Sequence, residues 1–317
     1  MGKILFIRGG AVGDFVLTMP AIRLVREALP DNEIEVLGYP SISALALAAG
    51  IADRTRPLED ARLALFFVPG ATLDPDWCAY FASFDVVVSY LYDPDDHFSN
   101  NLQVAGVRTL LRGPFRPGED RSLGSAAEQL AAPLAQLALF PEALDAPFSY
   151  AMGSSGISSR ISESARRSWV LHPGSGSPSK NWPLERWIEL LSAISNHDPD
   201  ISWIITGGEA ETDRLAAFLA ELRSRGIPHH HPAEATLPEL GALFGQIEGY
   251  LGHDTGISHL AASAGARGLL LYGPTNPMVW APPSQRMEII TSSDDTMGGI
   301  SVEEVWSRVR SNHLPTA

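Results

Sequence analysis

Residues Lys3–Arg8, KILFIR, run for the length of a strand without the polar alternation that a half-exposed strand carries. A strand apolar on both faces needs cover on both, which points to a parallel sheet packed between helices. Further runs of this kind occur at Ile34–Leu37, Asp85–Leu91, Trp169–His172, Ile201–Thr206 and Gly268–Tyr272. Helical stretches are expected between them at Phe15–Ala28, Ser41–Ala49, Ala71–Ala82, Leu184–Ser195 and Glu211–Arg223, with Pro20 breaking or restarting the first. Regular alternation of strand and helix describes an α/β fold. Between its two runs, residues 154–168 collect Gly, Ser and Arg with no apolar period, so they read as a linker joining residues 1–153 to residues 169–317.

Composition narrows the partners. A chain of 317 residues with 45% hydrophobic and 19% charged residues has the makeup of a globular protein with room for two domains. Its formal net charge of −14 argues against nucleic acid and against a purely electrostatic hold on an anionic membrane. The single cysteine, Cys78, forms no internal disulfide, as expected of a core residue in a reducing compartment. The apolar N-terminus is interrupted by Lys3, Arg8 and Asp14 and is unlike a signal peptide, so a cytoplasmic location is expected.

Three loops carry the candidate chemistry. In the first, strand residues Tyr250–Gly252 lead through His253-Asp254-Thr255-Gly256 into a helix ending near Ala264. A helix that starts directly after a strand aims its unpaired N–H groups and positive dipole end above the sheet, where they suit a phosphate. Thr255 or Asp254 can cap that helix, Gly256 permits close approach, and His259 lies four residues after Thr255 on the same face. In the second, His172-Pro-Gly-Ser175-Gly-Ser-Pro-Ser-Lys180 combines a Gly/Ser backbone cradle with a point charge. Lys180 is one of only two lysines, which weighs against a chance surface position. In the third, Gly9-Gly-Ala-Val-Gly13-Asp14 turns from the first strand into a helix. Its glycine spacing, and the Gly38-Tyr39 ending of the second strand, do not fit a dinucleotide fingerprint. Asp14 is either a catalytic base or a helix cap.

Three further groups are weaker. Arg108, Arg112, Arg116 and Arg121 stand in a half with more acidic than basic residues, and suit either an anionic acceptor or an ordinary surface. Asp93-Pro-Asp-Asp-His97 reads as a solvated turn, and His229-His230-His231 as no metal site, because consecutive side chains diverge.

These blocks are similar, in the same order, to the ADP-heptose:lipopolysaccharide heptosyltransferases of glycosyltransferase family nine. The likeness rests on Arg8 to Arg23, on His172 to Trp187, on Asp254-Thr-Gly-x-x-His259-Leu-Ala-Ala, and on Leu271-Tyr-Gly-Pro-Thr-x-Pro277-x-x-Trp280-x-Pro282. The resemblance implies a GT-B arrangement, two Rossmann-like α/β/α domains facing each other across a cleft, with the acceptor on residues 1–153 and the donor on residues 169–317. It implies an inverting transfer of heptose from ADP-heptose to a lipopolysaccharide inner-core acceptor, with no cofactor and no metal. Asp14 would be the base, and Lys180, Thr255, Gly256 and His259 would stabilise the departing diphosphate. Ser175, Asp254 and Glu209 complete the donor site, Glu209 at the nucleoside, with Glu211 its less favoured rival. The four arginines are the acceptor-side candidates, and peripheral contact with the cytoplasmic face of the inner membrane is compatible with this reading. The alternatives are a transferase for another nucleotide sugar and glycan, or a nucleotide- or glycan-binding relative without turnover.

Overall fold

The computed structural model describes residues 2–151, 167–208, 212–312 and 314. The chain divides into two compact units, Met1–Leu144 and Asp145–Ala317. This division falls ahead of residue 153 because the segment after Leu144 already packs on the second unit: the Phe148 N–H donates to the Ser263 carbonyl (2.7 Å) and the Tyr150 hydroxyl meets Ser263 Oγ (2.7 Å). The linker expected at residues 154–168 lies outside the described residues up to residue 166.

In the first unit, β1 (Lys3–Arg8), α1 (Val12–Ala28), β2 (Glu33–Gly38), α2 (Pro40–Ala48), β3 (Arg54–Pro57), α3 (Pro75–Ala82), β4 (Val86–Ser89), α4 (His97–Val104), β5 (Leu110–Arg112) and α5 (Ala126–Ala131) follow one another. The strands form one sheet in the order β3-β2-β1-β4-β5, parallel at every pairing. Ile4 to Ile7 of β1 are at most 1% exposed, as a strand covered on both faces requires.

Two expectations change here. Pro20 sits inside α1 without ending it. A proline within a helix forgoes one hydrogen bond and costs about 3 kcal/mol or more. Here Phe15 to Arg23 are all buried, and that packing holds the helix together. The stretch expected as helix from Ala71 becomes helical only at Pro75, because the Asp74 carboxylate accepts from the Trp77 N–H (3.0 Å) and Pro75 occupies the first turn.

The second unit continues as β6 (Ser168–Leu171), α6 (Leu184–His197), β7 (Ser202–Ile205), α7 (Thr212–Ser224), β8 (His229–His230), α8 (Leu237–Phe244), β9 (Gly249–His253), α9 (Gly256–Ser263), β10 (Gly268–Tyr272), α10 (Pro277–Trp280), β11 (Met287–Thr291) and α11 (Val302–Asn312). Its sheet order, β11-β10-β9-β6-β7-β8, is also parallel throughout. Trp169, Trp182, Trp187 and Trp203 are fully buried in its core, against Leu190, Leu191, Leu251 and Leu271. In both sheets the chain winds outward from a central strand and then returns to that strand's other side. The reversal lies between β1 and β4 in the first unit and between β6 and β9 in the second, and open α/β sheets take ligands at the carboxyl ends of such strand pairs.

Candidate active site

The reversal between β6 and β9 gathers most of the predicted donor residues. Past β9, Thr255 caps α9, its hydroxyl oxygen accepting from the Ser258 N–H (3.1 Å). The cap frees Asp254 for another task. Its Oδ2 accepts from Lys180 Nζ at 2.6 Å, and its Oδ1 lies 3.6 Å from His259 Nε2. Burial pushes the Asp254 carboxyl up, but the adjoining His259 and Lys180 outweigh it and bring the group down to about 2 from its ordinary 3.8. Lys180 comes from a short turn, Pro178–Lys180, in the loop after β6 and keeps 32% of its side chain exposed. His259 is buried, and its Nδ1 has no hydrogen-bond partner among the described residues. Ser175, in the same loop, accepts from the Ser177 N–H (3.2 Å), and its carbonyl accepts from Asn181 Nδ2 (3.3 Å).

Two histidines that the sequence reading passed over hold these loops together. His253 Nε2 accepts from the Trp182 N–H (3.0 Å), tying the end of the Lys180 loop to β9. A ring nitrogen that accepts must be unprotonated, and burial does push His253 down to about 3. His172 meets Thr206 Oγ1 at 3.1 Å through Nδ1, and burial pushes it down to about 4. Their one signal in the sequence was position, each standing at the end of an apolar strand run. Glu209, with Glu211, lies outside the described residues.

In the first unit Asp14 occupies the opening turn of α1, at the carboxyl end of β1. Its Oδ2 accepts from the Ala11 N–H (2.9 Å), while Oδ1 stands 3.5 Å from Arg8 Nη2 and the side chain is 36% exposed. Asp14 therefore serves the helix start and still presents a carboxylate to solvent. Arg8 organises this edge of the sheet, a role that its place at the end of an apolar run does not indicate. Its side chain, 1% exposed, donates to the carbonyls of Asp14 (3.3 Å), Tyr90 (3.5 Å) and Phe115 (2.9 Å). One guanidinium thus joins the loop after β1 to those after β4 and β5.

The four acceptor-side arginines do not form one cluster. Arg108 precedes β5 and Arg112 closes it, so they lie towards opposite ends of the strand. Arg112 pairs with Asp96 and donates to the Asp93 carbonyl (3.0 Å), Arg116 lies 3.8 Å from Glu119, and Arg121 begins an exposed turn. Asp93 accepts from the N–H groups of Phe98 (3.0 Å) and Ser99 (2.9 Å) and so caps α4. His229 and His231 turn Nδ1 towards the carbonyls of Ile227 (2.9 Å) and Ile205 (2.7 Å). Among the described residues, no group of three or more His, Cys, Asp or Glu could hold a metal, and no helix is long and apolar enough to cross a membrane.

Two parallel-sheet units, one with a cation, a buried carboxylate and a capped helix start at its strand reversal, define an α/β protein of two Rossmann-like units. Residues 125–303 match the model of glycosyltransferase family 9 (heptosyltransferase), more than half of the chain, and the chain belongs to that family. Lipopolysaccharide heptosyltransferase 1 of Salmonella typhimurium is 26% identical over 132 residues, 41% of this chain and 39% of that protein. The Pseudomonas aeruginosa protein of the same name is 27% identical over 146 residues, 44% of this chain and 39% of its own. The chain thus spans about two fifths of the length of the curated relatives it matches. Among solved structures, the family 9 glycosyl transferase of Veillonella parvula superposes with a TM-score of 0.77 at 16% identity, covering 98% of this chain and 96% of the other. E. coli ADP-heptose lps heptosyltransferase II gives 0.73 at 18% identity, covering 97% of each. E. coli heptosyltransferase WaaC with ADP gives 0.71 at 15%, covering 98% and 99%. At such identities the likeness is one of fold, and the fold is GT-B.

Proposed function

We propose that this protein transfers a heptose from ADP-heptose to a lipopolysaccharide inner-core acceptor, with inversion and without a metal. The observation that carries the reading is the Lys180–Asp254–His259 group beside the Thr255-capped start of α9. The acceptor hydroxyl attacks the anomeric carbon as the bond to the diphosphate oxygen breaks, and Asp14 takes the hydroxyl proton. A single displacement inverts the anomeric centre. Charge on the departing ADP is met by Lys180 and by the N–H groups and dipole end of α9. Asp254 keeps Lys180 oriented before the donor arrives, so little ordering is needed on binding. Ser175 lies in the same loop as Lys180, and Glu209 is assigned to the nucleoside by resemblance alone. The named relatives and the ADP-containing neighbour support the donor assignment.

A second reading takes its support from the Ala11–Asp14 hydrogen bond: Asp14 serves only the helix, and the protein binds nucleotide or glycan without turnover. The deciding experiment mixes ADP-heptose with de-acylated inner-core oligosaccharide, with and without EDTA, and follows both ADP release and the glycosylated product. Transfer that persists in EDTA is expected. Binding of ADP with no transfer and no donor hydrolysis selects the second reading, and activity lost to EDTA but restored by magnesium or manganese would overturn the metal-free mechanism.

A further inference from the structure

We propose that Tyr92 and Phe115 form an aromatic platform for a pyranose ring of the acceptor, beside Asp14. The proposal rests on the transferase reading above and names a part of the site that the reading leaves open. Tyr92 is 64% exposed and Phe115 46%, unusual for such large rings, and they lean together with centroids 5.5 Å apart and planes at 60°. They follow β4 and β5, so they stand at the ligand-binding edge of the sheet, next to the reversal between β1 and β4.

The supporting backbone is held in place from several sides. The Gly113 N–H donates to the Ser89 carbonyl (2.9 Å), and Arg8 Nη1 donates to the Phe115 carbonyl (2.9 Å). Gly113 lies so close over buried Tyr90 that a Cβ there would come within 2.1 Å of its ring. Tyr90 is itself anchored through its hydroxyl to the Leu130 carbonyl (2.7 Å). Two aromatic rings presented to water on two loops tied together in this way add little to the core, but they are preorganised for a ligand.

Their surroundings select the kind of ligand. The guanidinium that holds the Phe115 carbonyl also stands 3.5 Å from the Asp14 carboxylate, so the backbone that carries the platform and the proposed base share one anchor. Charged groups flank the pair along the chain: Arg116, 3.8 Å from Glu119, follows Phe115, and Arg112, paired with Asp96, donates to the carbonyl of Asp93 next to Tyr92 (3.0 Å). A saccharide ring has apolar C–H faces and a polar edge, and matches a flat aromatic surface with a charged rim. A wholly apolar partner would leave that rim unpaired.

The test compares Tyr92→Ala, Phe115→Ala, the double variant, and the aromatic exchanges Tyr92→Phe and Phe115→Tyr, using de-acylated inner-core oligosaccharide as probe. Saturation-transfer NMR reads binding of the oligosaccharide without turnover, and steady-state kinetics at saturating ADP-heptose read its KM. Each alanine should raise the acceptor KM about tenfold and cut the saturation transfer, whereas the aromatic exchanges should stay near wild type. Melting temperature and ADP affinity serve as controls for folding. Oligosaccharide that binds through these rings without being glycosylated would sink the transferase reading and leave the platform standing. Wild-type transfer with an unchanged acceptor KM in the folded double-alanine variant would sink the platform and leave the transferase reading. Wild-type protein that neither binds nor glycosylates the oligosaccharide would overturn both.

Discussion

Replacing Asp14 by asparagine separates proton transfer from helix support. Asparagine keeps an oxygen that can accept from the Ala11 N–H, so the melting temperature should move little. If the carboxylate is the base, turnover should fall by about 10² to 10⁴ with ADP affinity nearly unchanged. A folded, fully active variant in a steady-state assay would show that Asp14 is only a cap. Lys180 makes a different case, because it serves the ligand and a buried carboxylate together. Lys180→Ala should weaken ADP binding about 10- to 100-fold, equivalent to roughly 1.5–3 kcal/mol for a hydrogen bond to a charged group. It should also destabilise the second unit, since Asp254 is left with His259 alone. Adding Asp254→Asn should restore stability and leave ADP affinity low. Calorimetry that finds wild-type ADP affinity in folded Lys180→Ala would remove the lysine from the donor site.

At the scale of elements, α9 links stability to binding. The Thr255 hydroxyl closes its first turn on Ser258, and Ser258 in turn meets the Tyr250 hydroxyl at 3.1 Å. Thr255→Val keeps the shape and removes the capping oxygen, which should cost about 1 kcal/mol in a urea titration. If the start of this helix receives the diphosphate, ADP affinity should fall several-fold in the same protein. Reduced stability with unaltered ADP affinity would place the diphosphate elsewhere. The helix was legible in the sequence because a capping threonine stands between an apolar strand and an apolar helical face. The break expected at Pro20 was a misreading of the same kind of local signal. Local cost favours ending α1 there, and burial of its flanking residues outweighs that cost.

Across the whole molecule, acid should act on the second unit first. His172 and His253 sit at about 4 and about 3 when folded, below the ordinary 6.5. Unfolded protein therefore binds protons that the folded form refuses, and stability falls as pH drops from about 6.5 towards these values. Asp254, held near 2 against an ordinary 3.8, adds a loss that begins only below about pH 4. Six of the seven tryptophans belong to the second unit, Trp77 being the exception, so tryptophan fluorescence reports mainly on it. Its urea midpoint should decline steadily from pH 7 to pH 4.5. An unchanged midpoint over that range would mean that the histidines are not buried as neutral rings. The sequence by itself determined the two α/β repeats, the loops after β1, β6 and β9, and the family, because apolar period, turn chemistry and capping are local properties of the chain. Only the tertiary structure decided that Asp254 faces Lys180 and His259 while Thr255 does the capping, that Arg8 gathers three loops about Asp14, and that Tyr92 meets Phe115. The pairings of Asp254 with Lys180, of Arg8 with Tyr90 and Phe115, and of Tyr92 with Phe115 join residues on different strands or loops, and it is the order in which the strands are laid side by side that sets which loop ends meet.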